Sequence, residues 1–201
     1  MTLHRPWMTA LLIVMLCFVF RGMLERHPVT HIVVQLSALV VAGWLAGQSL
    51  GGALPALRLT DWNAGGSVGI LVALFAGAFW MLPRNIDWAL GQTSGEFAKF
   101  VSIPLLMGVS LALSWSRAPA LAKCLIKANA VSMLLSLSWV YTTAPERLCN
   151  NYLLGQQQEL GSVLLWLAIV ISVIWSVPLF VSQPLAKHRP ANIQTARGVS
   201  T

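Results

Sequence analysis

Charged residues along this chain fall in the gaps between six uncharged, strongly apolar runs, at residues 7–20, 32–49, 64–83, 100–115, 128–145 and 160–186. A hydrocarbon layer of roughly 30 Å takes about 20 helical residues, and fewer where flanking side chains snorkel or the bilayer thins. Each run is therefore of a length to cross or nearly cross a membrane. Peptide groups find no water inside a bilayer, and runs of this length satisfy them as helices. The pattern predicts an all-α, polytopic membrane bundle of about six transmembrane helices over residues 1–186, followed by a basic, disordered cytoplasmic tail at 187–201.

Local signals refine the helices. Pro28 suits the first turn of the second helix, where its missing N–H costs nothing. Thr93-Ser94-Gly95-Glu96 has capping-box spacing and predicts the start of the fourth. Pro83, Pro145 and Pro184 fall at or just beyond run ends, while Pro104 and Pro178 fall inside runs and predict kinks. Ala38, Ala42, Gly43 and Gly47 allow close approach to the second helix, and Asn129, Ser132 and Ser136 share one face of the fifth. Those polar groups are expected to hydrogen-bond across to the fourth or sixth helix.

Charge sets the expected orientation. Arg5, Arg58, Arg117, Lys123, Lys127, Lys187, Arg189 and Arg197, with only Asp61 against them, fall in the alternate gaps shared with the N-terminus. The other gaps balance Arg21, Arg26, Arg84, Lys99 and Arg147 against Glu25, Asp87, Glu96, Glu146 and Glu159, so the whole net charge of +7 lies on one side. The positive-inside rule then places both termini in the cytoplasm of a bacterial-type inner membrane. Trp7, Trp44, Trp62 and Trp115 near the inner ends, and Trp80, Trp88, Trp139 and Trp166 near the outer ones, fit interfacial belts. The basic balance is accounted for by topology and anionic lipid, and no nucleic-acid binding is expected.

The first run follows a short basic segment, as a secretory signal would. No small-residue cleavage site follows it, which predicts an uncleaved anchor. Cys17, Cys124 and Cys149 are expected as unpaired thiols, two of them packing residues; Cys17 and Cys149 could meet only if the first and sixth helices are neighbours.

The most concentrated polar cluster is Arg26-His27-Pro28-Val29-Thr30-His31-Ile32-Val33-Val34-Gln35 at the head of the second helix. Histidines four apart can share one helix side, Gln35 extends the row one turn deeper, and Met23 lies four residues before His27. Imidazole with thioether suits copper, which makes His27 and His31 candidate metal ligands. A bis-histidine haem does not follow, because its axial ligands approach from opposite faces and His4 and His188 lie in the cytoplasmic tails. Gln35, Arg84, Asp87 and Arg147 are candidate binding residues of the outer face. Arg84 with Asp87 and Glu146 with Arg147 are expected as compact rim pairs, with Gln156, Gln157 and Gln158 as a solvated polar tract.

About six helices, little loop and a His-x-x-x-His spacing entering a helix from outside resemble the CtaG-type membrane proteins associated with assembly of copper-containing cytochrome oxidases. The resemblance implies copper at His27 and His31 and a role as a non-enzymatic accessory or assembly protein of a membrane complex, in contact with the lipid bilayer. The alternative is a small-solute transporter or channel-like protein. It is set second because no charged residue falls inside an apolar run, whereas ion-coupled carriers keep one at membrane depth. The carboxylates are few and outside the runs, and no nucleophile–base pair can be placed, so no enzyme is expected.

Overall fold

The computed structural model describes residues 4–50 and 63–181, and within them all regular secondary structure is helical. Arg58, Asp61, Trp62, Pro184, Lys187, His188, Arg189, Arg197 and the basic tail at 187–201 lie outside the described residues. We number the helices α1 (His4–Val19), α2 (Arg21–Leu24), α3 (Thr30–Leu50), α4 (Ser67–Trp80), α5 (Pro83–Gly91), α6 (Thr93–Trp115), α7 (Ala120–Thr143) and α8 (Leu154–Val181).

Among the described residues four helices, α3, α6, α7 and the stretch Leu154–Pro178 of α8, are long and apolar enough to cross a membrane. A fifth crossing exists if α4 and α5 are taken together. The apolar surface is turned outward, with Phe75, Phe97 and Leu121 each at least 70% exposed. Such a surface fits lipid, since contiguous apolar patches are small on proteins that face water.

Two of the expected six runs come out differently. The first forms α1, whose apolar part, Pro6–Val19, is shorter than a full crossing. The third is broken: α4 ends at Trp80, Leu82 is extended at φ −72° and ψ 128°, and Pro83 opens α5 at a bend of 73°. Proline at the first helical position needs no hydrogen-bond partner and fixes the new direction. The segment expected as a solvated rim is therefore a helix, with Ile86 and Ala89 buried three residues apart.

α3 and α6 cross at the centre. A Cβ on Gly43 would fall against the Pro104 carbonyl, and one on Gly108 would lie 2.5 Å from the Gly43 Cα. These glycines let two backbones touch, as the small-residue pattern predicts. Both helices carry a wider π-helical stretch, Thr30–Leu36 in α3 and Ile103–Val109 in α6. Pro104 sits at the start of the second, where the altered register absorbs its missing donor. α1 packs on α3, α4 on α6, and α7 pairs with α8 through Gly161, whose carbonyl accepts from Ser138 at 2.7 Å.

Three further expectations are corrected. α6 begins at Thr93, but Gln92 is its N-cap and no side chain caps it; the Glu96 carboxylate turns to Arg21 at 2.7 Å. Asn129, Ser132 and Ser136 are exposed and make no bond to α6 or α8, because Ser138 and Tyr141 carry the buried face of α7. Gln157 is buried, donating to the Cys149 carbonyl at 3.0 Å and accepting from the Leu148 N–H at 3.1 Å. It clasps the α7–α8 connection onto the bundle.

Candidate functional site

Where the α2–α3 connection meets α6, a lysine is buried beside a carboxylate. Lys99 stands on the second turn of α6 with its side chain 1% exposed, and its Nζ lies 2.5 Å from Glu25 Oε1. The same ammonium is 3.5 Å from His31 Nε2 and lies over the Phe100 ring at 5.1 Å. Lys99 is thus a charge inside an apolar helix, although its place at the edge of an apolar run had suggested the rim.

Donor and acceptor roles follow from the lysine. An ammonium can only donate, so His31 Nε2 accepts and the ring proton sits on Nδ1. Nδ1 then donates to the Tyr152 oxygen at 2.9 Å, and the Tyr152 hydroxyl donates to the Glu25 carbonyl at 3.2 Å. The chain of bonds that begins at Lys99 ends on Glu25, whose carboxylate pairs with the same lysine. Burial, reinforced by Glu25, Cys149 and Asp87, pushes the Tyr152 phenol above its ordinary range and keeps it a donor.

Gln35, fully buried one turn below His31, donates to Glu25 Oε1 at 3.1 Å and to the Cys17 carbonyl at 3.4 Å. Its Oε1 has no hydrogen-bond partner. Reversing the amide would set that oxygen against the carboxylate, so the orientation is fixed and the acceptor is open. Buried acceptors in this state are uncommon.

His31 and Gln35 lie together at this centre, both carried by the π-helical opening of α3. The other candidates lie elsewhere. His27 is half-exposed and faces Glu159 at 3.5 Å. His31 has both ring nitrogens engaged, Met23 is exposed, and among the described residues no group of three His, Cys, Asp or Glu side chains could hold a metal ion. Asp87 accepts from Asn150 N at 2.8 Å and from Asn151 Nδ2 at 3.0 Å, which anchors the α7–α8 connection. Arg84 and Arg147 are exposed, and no ion pair joins Arg84 to Asp87 or Arg147 to Glu146. Arg84, Asp87 and Gln92 instead line an open hollow of about 620 Å³ over α5.

Glu25, Lys99 and Tyr152 are the site residues that sequence reasoning passes over. Glu25 and Lys99 flank apolar runs and read as rim charges; the available signal was that opposite charges border neighbouring runs. Tyr152 lay in a loop of polar residues and gave no signal.

Beside the centre a mainly apolar groove of about 280 Å³ runs between α3, α4 and α6, lined by Ile32, Leu36, Val40, Trp80, Ile103 and Met107 among others. Cys17, Cys124 and Cys149 are all free; Cys17 and Cys149 are buried in separate apolar clusters. No protein-family model, curated protein or solved structure matches the chain.

Proposed function

We propose that this protein is a small-solute carrier of a bacterial-type inner membrane, with the Glu25–Lys99–His31–Tyr152 centre as its coupling site. The observation that carries it is the buried Lys99–Glu25 pair. A lysine taken out of water against a part-buried carboxylate is held more weakly than well-packed apolar side chains of similar volume, so a pair kept there is better explained by use than by stability. Charged side chains inside membrane helices mark ion and substrate paths. Carriers also build such sites from interrupted helices, and here the π-helical stretch of α3 carries His31, while α6 has a π-helical stretch of its own and α4 and α5 meet at a bend. A solute bearing charge would replace one member of the pair for the other, and the open Gln35 acceptor gives it a further partner. The charge division of the sequence supports six crossings, counting α1, with both termini cytoplasmic and the centre near the outer face.

The accessory or assembly reading, with copper at His27 and His31, stands second. Its support is the resemblance of the His-x-x-x-His segment and the exposed, unpaired Arg84 and Arg147, which leave the rim free to dock a membrane complex.

Electrical recording from proteoliposomes separates the two. Jumps in concentration of amino acids, organic anions and organic cations should evoke a current with one class and none with empty liposomes. Silence to every class, together with a membrane complex that co-purifies with wild type and is lost on Arg84→Glu, would replace the carrier by the accessory protein.

A further inference from the structure

α7 packs chiefly against α8 and leaves the rest of its surface open. Its side chains at alternating intervals of four and three residues, Leu125, Asn129, Ser132, Ser136, Trp139 and Thr143, are all exposed. Residues 120–137 of it hold no buried side chain, and within α7 only Ser138 and Tyr141 are buried. Asn129, Ser132 and Ser136 also make no hydrogen bond among the described residues. Elsewhere the hydroxyls are satisfied locally: Ser162, Ser172 and Ser176 of α8 each donate to the carbonyl four residues earlier. Lipid offers an unpaired carboxamide neither donor nor acceptor, so a polar seam facing it is costly.

We propose that this seam is the contact surface for a second copy of the chain, α7 lying parallel to α7 across a two-fold axis normal to the membrane. The 4–3 spacing is that of a left-handed helix pair, whose contact line recurs every 3.5 residues. Ser132 and Ser136 are small enough to let the backbones approach, and their hydroxyls can bond across. Asn129 selects the occupant. Its carboxamide is donor and acceptor at once and therefore complements its own image at a two-fold axis, which also fixes the register. Two copies inserted the same way present their α7 helices in parallel, as that symmetry requires.

Like charges at one end of a parallel pair would oppose it. Lys123 and Lys127 are drawn instead to their own chain, Lys123 over Trp115 at 5.7 Å and Lys127 over Trp175 at 5.5 Å. The contact is independent of what the protein carries or docks.

The test is oxidative cross-linking of the full-length chain in its own membranes, with the exposed Cys124 replaced by serine. Ser132→Cys and Ser136→Cys should give a disulfide-linked species of twice the chain mass, and Val173→Cys, exposed on α8, should not. Adding Asn129→Leu should weaken self-association about threefold to thirtyfold. Linkage to a different protein, or cross-linking of Val173→Cys as readily as Ser136→Cys, would overturn the proposal. Where a cysteine variant fails to fold, the mass of the wild-type particle in mild detergent decides: a dimer that Asn129→Leu dissociates supports it, and a monomer overturns it.

Discussion

Lys99 and Glu25 are 74 residues apart in the chain and meet at 2.5 Å, with the lysine sealed from solvent and the carboxylate at the edge of it. The pair ties α6 to the α2–α3 connection, and its two halves depend on each other. Removing one partner strands the other, at a cost of about 3–5 kcal/mol, whereas removing both relieves most of it. Lys99→Met alone and Glu25→Gln alone should each lower the unfolding temperature in detergent, and the double variant should recover most of the loss. Additive losses in the double variant would show that the two side chains do not act as a pair.

Helix contact at the α3–α6 crossing makes a steric prediction. Gly43→Ala places a methyl group against the Pro104 carbonyl, and backbone there cannot yield without separating the helices. Overpacking of this kind costs about 1–3 kcal/mol. Gly155→Ala meets nothing within 4 Å and removes a helix-weakening glycine, so it should be neutral or stabilising by up to about 1 kcal/mol. Thermal unfolding of the two variants side by side checks the order.

The α7–α8 connection carries a thiol that predicts a pH dependence. Burial pushes the Cys149 thiol from 9.0 up to about 11, with Asp87 adding to the rise and the Tyr141 hydroxyl opposing it. The native state therefore favours the protonated thiol. The stability this lends is complete below pH 9 and is lost as pH rises toward about 11, a change of about 3 kcal/mol. At pH 8 a maleimide should label Cys124 and leave Cys149 untouched, and Cys149→Ala should remove part of the alkaline destabilisation. Rapid labelling of Cys149 at pH 8 in the folded protein would contradict its burial.

Much of the bundle was legible in the sequence because hydrophobic run length is a direct consequence of bilayer thickness. Gly43 and Gly47 were read correctly as points of close approach, since small residues are what let helices meet in lipid. Other features depended on three-dimensional packing. The Asn129 stripe is equally polar whether it faces a neighbouring helix or the surroundings, and only the placement of Ser138 shows which side of α7 is buried. Glu96 has the spacing of a capping box, but Arg21 from a distant segment competes for it and wins. That His31 and Gln35 lie near each other is legible because they share a helix; that Lys99, Glu25 and Tyr152 are their partners is not, because three separate segments bring them together.

Tyr152→Phe isolates the hydrogen-bond chain from the charge pair. It leaves the His31 Nδ1–H without its acceptor and the Glu25 carbonyl without its donor, while the ring still fills its place. An unsatisfied buried donor costs about 1–3 kcal/mol, so the variant should fold with a lowered unfolding temperature. Full wild-type stability would mean that the contact is incidental.

The most direct measurement is the solute-evoked current of Glu25→Gln plus Lys99→Met in proteoliposomes, normalised to folded protein. If the buried pair is the coupling site, the double variant should unfold near the wild-type temperature and give no current above empty liposomes. A current equal to wild type from that uncharged variant would show that the pair only holds the helices together.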